Sequence, residues 1–264
     1  MPCYTTYSGG NIIGLFGQSN AVGNEPIANL QGDLVGSNTN AKIFAYSNVS
    51  LNGTWSTLQS NVNNSGNTSS SATFGIEMRL MKLMGDTYGA NQKLLKYAIV
   101  GSSLATNWLP GAGNLYGLKY QVQRYAQAAF AGAFGSAYNG FKCIVWIQWE
   151  ADSPNLTNYQ SNLKNLIKRW RQDFLQPTIP IIIVSASNAQ TNYTAPMRAA
   201  AKVAQQAVSK YLWSNYVVTT NSGVDVLDNV WYLEQNETTS DSIHYTATSY
   251  NNIALYVFDI IQRL

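Results

Sequence analysis

Charge is the scarcest property of this sequence. Asp, Glu, Lys and Arg make up 11% of its 264 residues, against roughly a quarter of an average globular domain. Sixteen basic and thirteen acidic side chains leave a net charge of +3, too weak and too dispersed for a nucleic-acid partner. The densest basic run, Lys164 to Arg171, reads as the solvated face of a helix. Asn, Ser, Thr, Gln and Tyr must dress the surface instead, which suits an extracellular or virion-associated protein better than a cytoplasmic one. Cysteine is nearly missing. Cys143 sits in an apolar run and reads as a small buried hydrophobe, and Cys3 lies near the terminus, so neither a disulfide framework nor a cysteine metal site is expected. No apolar run approaches the roughly 18 residues that cross a bilayer, which excludes a membrane-spanning helix. The N-terminus lacks the basic region and apolar core of a secretory signal. Histidine occurs once, at position 244. Chemistry that needs an imidazole base therefore has a single candidate.

What is present is a regular alternation. Apolar runs at 11–16, 42–46, 94–100, 143–147, 180–184 and 216–220 read as strands. Helical patterns lie between and after them, at 74–88, 115–134, 156–174, 195–213 and 247–261. The strands are apolar throughout rather than alternating, which means a parallel sheet buried on both faces in an α/β fold. A hydrophobic content of 45% is enough for that core. No repeat, linker or composition shift divides the chain, so residues 1–264 are expected to form one domain. The polar stretch 47–71 reads either as a surface loop or as one wall of a substrate cleft.

Open parallel sheets bind ligands beyond the carboxyl ends of their strands. Three of those ends carry small or polar residues: Gly17-Gln18-Ser19-Asn20, Gly101-Ser102-Ser103 and Gln148-Trp149-Glu150. Ser19 is the simplest nucleophile. It needs a base, and a carboxylate to orient that base. His244 is the base the chain offers, and Asp241 precedes it by three residues. Backbone N–H groups of Ser19 and Gly101, with the Gln148 side chain, can donate to an oxyanion. Each clue alone has a structural alternative: a helix-capping serine, a structural histidine, a tight turn at Gly101. Their joint placement is what points to acyl transfer.

The same residues carry a family resemblance. Gly17-Gln18-Ser19-Asn20 followed by Ala21 and Gly23, Tyr97 to Leu104 with Trp108 and Pro110 downstream, Trp146-Ile-Gln148-Trp149-Glu150-Ala151-Asp152, and Asp241-Ser-Ile-His244 resemble, in order, the blocks of SGNH hydrolases. The match is to the branch holding sialate O-acetylesterase-like proteins and acetylxylan-esterase-type carbohydrate esterases. Phe74-Gly75-Ile76-Glu77 is similar to a further family segment that opens a helix. The resemblance implies a three-layer α/β/α sandwich with a mostly parallel five-stranded sheet. It implies hydrolysis of O-acetyl esters on an acetylated carbohydrate, without metal or cofactor. It implies Ser19, Asp241 and His244 as the catalytic residues, and Ser19, Gly101 and Gln148 as the oxyanion hole. Gln18, Asn20, Trp108, Trp149 and Glu150 are carried over as candidate substrate contacts. Trp55, Trp108 and Trp149 are the rings that could stack on a sugar or pack inside. Two departures stand out: Trp149 replaces the family glycine of Gln-Gly-Glu, and Ser102 stands where glycine is common. The alternative to an esterase is an idle carbohydrate-binding module on a viral or secreted appendage; a lipase or thioesterase is weaker, because the loops are polar.

Overall fold

A computed structural model describes residues 12–45, 55–64, 72–109, 126 and 140–264. Its strands are β1 (Ile12–Gly17), β2 (Glu25–Pro26), β3 (Ser37–Ala45), β4 (Ser56–Gln59), β5 (Thr73–Phe74), β6 (Gln92–Ala98), β7 (Phe141–Ile147), β8 (Ile181–Val184), β9 (Ser209–Ser214), β10 (Val217–Thr220) and β11 (Leu227–Leu233). Nine of them form one sheet in the order β10-β9-β11-β8-β7-β1-β6-β3-β4, and β2 pairs with β5 in a small ribbon. The seven inner strands run parallel, and only the edge pairs β10–β9 and β3–β4 are antiparallel. The mostly parallel sheet is as expected, but it is wider than five strands.

β1 shows why the sheet has two covered faces. Ile13 and Leu15 join one core with residues of the Glu77–Tyr88 and Ala247–Arg263 helices, while Ile12 and Phe16 join a second core with the Tyr159–Asp173 and Ala195–Val208 helices. Side chains that alternate across a strand here find a helix layer on either side. The second core is aromatic: Trp108 lies edge-on to Trp146 at 4.9 Å and Trp146 to Trp170 at 5.3 Å.

Three sequence expectations change. The helical pattern at 195–213 stops at Val208, and 209–214 is a strand. Ser209 turns its hydroxyl back to the Gln205 carbonyl at 2.8 Å while its own backbone is extended, and the Tyr211-Leu-Trp213 run that follows favours a pleated surface. β11 has no counterpart in the sequence reading, because Asp228 and Asn229 interrupt its apolar part and Asn229 adopts φ 57°. Residues 217–220 form an antiparallel edge rather than a parallel strand, joined to β9 by Asn215 and Tyr216, both at positive φ; that is the turn geometry that matches strand twist in a two-residue hairpin. The expected helix at 115–134 falls outside the described residues, apart from Ala126, which is helical. Most of 47–71 falls outside them too; 56–59 is the antiparallel edge β4.

Chain order reverses at β1. The chain leaves it to build β3 and β6 on one side, then returns to lay down β7 and β8 on the other. Such a switch point opens a crevice at the carboxyl edge. Register puts Ala98, Gly17 and Ile147 side by side there, with Val184 and Leu233 level in turn. Among the described residues no helix is long and apolar enough to cross a membrane.

Candidate active site

The crevice begins at Gly17. Its φ is +143°, and a Cβ there would lie 2.0 Å from the Ile147 carbonyl oxygen, so only glycine lets β1 turn over its neighbour. Ser19 then opens a four-residue helix, Ser19–Val22, whose N-cap is Gln18 with no side-chain cap bond. Ser19 is therefore not a capping serine. Its N–H lies in the first helical turn, where backbone donors have no carbonyl within the helix to meet. On β6's side, Ile99 N–H bonds to the Gly17 carbonyl at 3.0 Å. Gly101 follows two residues later at φ +69°, beside open space.

His244 reaches this edge through Asn20. The Asn20 side-chain Oδ1 accepts from Tyr245 N–H at 3.2 Å, and its Nδ2 donates to Ile243 O at 3.2 Å. The residues on both sides of His244 are thus tied to the residue after Ser19. The spacing of Asp241 and His244 has a geometric reason. Asp241 Oδ1 accepts from the backbone N–H groups of Ile243 and His244, at 3.1 and 2.7 Å, closing the turn, while Oδ2 accepts from His244 Nδ1 at 2.7 Å. Ser242 takes φ 71° to make that turn. Partial burial opposes ionisation of Asp241, but the bonds from the imidazole and the two N–H groups outweigh it and hold the carboxyl below its ordinary value. A carboxylate acceptor at Nδ1 places the proton there and leaves Nε2 with its lone pair.

Below these groups lies a buried polar layer the sequence reading largely missed. Glu150 Oε1 accepts from the amides of Asn20 and Gln190, both at 2.7 Å, and Oε2 from Trp149 N–H at 3.1 Å. Gln190 also donates to Ile243 O at 3.1 Å and accepts from Trp149 Nε1 at 3.1 Å and Ser187 N–H at 2.9 Å. Asn20 and Gln190 thus grip the same two acceptors, Glu150 and Ile243 O, one from the Ser19–Val22 helix and one from the 185–193 loop. Asp152 is the second anchor. It accepts from Leu104 and Ala105 N–H at 2.6 and 3.0 Å and from the Gln148 amide at 2.5 Å, so it pins the Gly101 loop to the end of β7. Tyr159 donates to the Gln148 carbonyl at 2.5 Å, and burial pushes its phenol up. Gln190 carries no motif and lies 38 residues past the nearest block, which ends at Asp152, so only tertiary contact reveals it.

The candidate substrate contacts are all buried. Gln18, Asn20, Trp108, Trp149 and Glu150 are 3, 0, 0, 1 and 3% exposed. A sugar needs an open ring face or a free donor, and these side chains face protein. Trp108 donates to Ser102 Oγ at 2.9 Å, which accounts for serine at that position. Trp149 packs edge-on to Tyr193 at 4.7 Å beneath the 185–193 loop. Gln18 accepts from Ala151 N–H and from Gln148, at 3.1 and 3.2 Å. Gln148, expected as an oxyanion donor, is engaged within the protein. Its amide has two N–H bonds and three acceptors already, Asp152, Gln18 and Ser102 O, and it is 0% exposed. Trp55 is half-buried against Phe44, with Lys93 over its ring. Among the described residues no three His, Cys, Asp or Glu side chains converge as metal ligands.

Gln190→Ala leaves the Glu150 carboxylate buried with one donor fewer and frees one grip on the His244 turn. The expected result is a stability loss of about 1–3 kcal/mol and a lower kcat at nearly constant KM; a wild-type thermal midpoint and rate would remove Gln190 from the scaffold of the site.

Comparison with known proteins agrees with this architecture. A protein from Arabidopsis thaliana superposes with a TM-score of 0.71 at 18% identity, covering 97% of this chain and 98% of its own. NanS gives 0.67 at 12% identity over 98% of both chains. A carbohydrate acetylesterase from Xanthomonas citri gives 0.63 at 14% identity, over 96% of this chain and 56% of its own. At such identities the likeness shows the fold. A search of curated proteins gave no match. The family model for carbohydrate esterase, sialic acid-specific acetylesterase, matches residues 9–259. With a strand-end serine at the switch point and an Asp–His pair tied to it, on a chain matched almost end to end, this protein belongs to that carbohydrate esterase family.

Proposed function

We propose that the protein is a serine esterase that removes O-acetyl groups from a carbohydrate through an acyl-enzyme on Ser19. The observation that carries this reading is the double tie of Asn20 to Ile243 and Tyr245, which sets the Asp241–His244 pair beside the residue after Ser19. Ser19 Oγ attacks the acetyl carbonyl as its proton passes to His244 Nε2. The oxyanion that forms is met by the Ser19 and Gly101 N–H groups. The bond from the carbonyl carbon to the sugar oxygen breaks, and the sugar oxygen takes the proton from His244. Water then attacks the acetyl-serine with His244 again as base, releasing acetate and restoring the Ser19 hydroxyl. Asp241 keeps the imidazole in register and stabilises its charged form. Because the folded-state pKa of Asp241 is depressed, its contribution is complete above the ordinary aspartate value and fades only as the pH falls through that lower one.

The test is acetate release from 4-nitrophenyl acetate and from an acetylated oligosaccharide, with rapid acid quench and peptide mass analysis. The expected result is turnover of both esters and one acetyl group on the peptide containing Ser19. Glycan retention without any ester turnover would favour a binding module. Acetyl on a different residue would remove Ser19 as nucleophile.

A further inference from the structure

The catalytic groups account for the ester, but nothing in them selects the alcohol that carries it. A cavity of about 280 Å³ lies between the loop that follows Gly101 and the turn that follows β7. Ser103, Thr106, Asn155, Asn158 and Asn162 supply its polar lining. It shares structure with the proposed site on two sides. Ser103 stands two residues past Gly101. Ala151, on the cavity wall, donates its N–H to Gln18, the residue before Ser19, at 3.1 Å.

The chemistry of this cavity is neutral. Among the described residues its one charged lining residue is Asp152, and both carboxylate oxygens are already engaged by Leu104, Ala105 and Gln148. Two amides stand out. Asn158 occupies the N-cap of the Tyr159–Asp173 helix but makes no side-chain cap bond, although capping is the usual use of asparagine there. Asn162 lies one turn on, on the same helix face. No hydrogen bond among the described residues engages either side-chain amide. Ala151 and Pro154 add small apolar surface beside them. Paired free amides over a small apolar floor match a pyranose ring, which offers vicinal hydroxyls at its rim and C–H groups on its face.

We infer that this cavity is a subsite for an uncharged sugar unit next to the acetylated one, so that the enzyme acts on a neutral oligo- or polysaccharide chain rather than on a lone acetylated sugar. The inference deepens the esterase reading and rests on it for the meaning of the site, yet its binding can be measured without ester chemistry.

The experiment uses Asn158→Ala/Asn162→Ala in two arms. In the first, unacetylated xylotetraose and cellotetraose are titrated into the whole protein while the side-chain amide NMR signals are followed, with an acidic sialyl-trisaccharide as the charged comparison. At least one neutral tetrasaccharide is expected to shift the Asn158 and Asn162 signals, and the double variant to bind it about tenfold more weakly or worse. No shift with either neutral chain, tighter binding of the acidic one, or unchanged affinity in the variant would overturn the subsite. In the second arm, acetate release from acetylated xylotetraose is compared with that from 4-nitrophenyl acetate. The variant should lose about tenfold or more in kcat/KM on the tetrasaccharide, through KM, and stay within about twofold on the aryl ester. Equal losses on both substrates, or none, would again overturn it. A wild type inert on every ester would fail the esterase reading instead, and the first arm would still decide the subsite.

Discussion

Ser19→Ala and His244→Ala are each expected to lower kcat by about 10⁴–10⁶-fold on 4-nitrophenyl acetate, and the double variant to lose no more than the worse of the two. The reason is that they act as one unit. Without His244 the Ser19 proton has nowhere to go; without Ser19 the imidazole has nothing to activate in the acylation step. No second histidine exists to substitute, since the chain has one. KM should change little, because neither group holds the substrate. The proposed oxyanion donors, the N–H groups of Ser19 and Gly101, remain in both variants and would set the residual rate. Neither substitution disturbs a packed core: Ser19 caps nothing, and Asp241 Oδ1 still closes the loop through the Ile243 N–H at 3.1 Å without the imidazole. Steady-state rates for the single and double variants decide the matter. Losses that multiply would show two independent contributions, and appreciable turnover by Ser19→Ala would remove the acyl-enzyme.

Lys96→Met is expected to destabilise the fold by about 3–5 kcal/mol, the cost of leaving a buried partner charge uncompensated. Lys96 sits in the inner strand β6 at 0% exposure. It donates to Val22 O at 2.7 Å and Asn64 O at 2.8 Å and pairs with Glu77 Oε2 at 2.9 Å. Burial pushes the Lys96 ammonium down and Glu77 pulls it back up. Glu77 in turn accepts from Gly75 N–H at 2.9 Å, where Gly75 and Gly23 approach so closely that a Cβ on Gly23 would lie 2.2 Å from Gly75 N. This network ties the far end of the Ser19–Val22 helix to the sheet, so its loss reaches the proposed nucleophile as well. Thermal unfolding should show a midpoint lower by on the order of 10 °C. Lys96→Met combined with Glu77→Gln should recover part of that loss, since no unpaired charge remains. A fall of less than about 2 °C for Lys96→Met alone would show that the pair contributes little.

The sequence reading and the structure agree best where one residue type had no substitute. A lone histidine three residues after an aspartate, and a glycine-bounded serine after an apolar strand, need no partner to be recognised. Lys96 shows the opposite case. The sequence reading passes over it inside the apolar run 94–100; its burial beside Glu77 follows from the packing of the Glu77–Tyr88 helix on β6, which no local pattern contains. Trp108 and Trp149 are alike in this: a tryptophan near a site reads equally as a stacking face or as core, and only the tertiary packing buries both. Gln148 lies in the expected place, but its donors are claimed by Asp152, a residue whose carboxylate the sequence reading left without a role.

By itself, then, the sequence determined the α/β class, the parallel sheet and the three strand ends, because apolar runs and glycines act locally through burial and backbone sterics. It also determined the Asp241–His244 pair, because three residues of spacing let one carboxylate close a turn and hold an imidazole. The tertiary structure alone decided that the serine stands at the switch point of a nine-stranded sheet, since strand order depends on which distant runs pair. It alone decided that Asn20, Gln190 and Glu150 form the clamp under the histidine turn. Those residues are joined by hydrogen bonds spanning 40 to more than 200 positions, and contacts of that range are set by how the layers close, not by any segment's own preference.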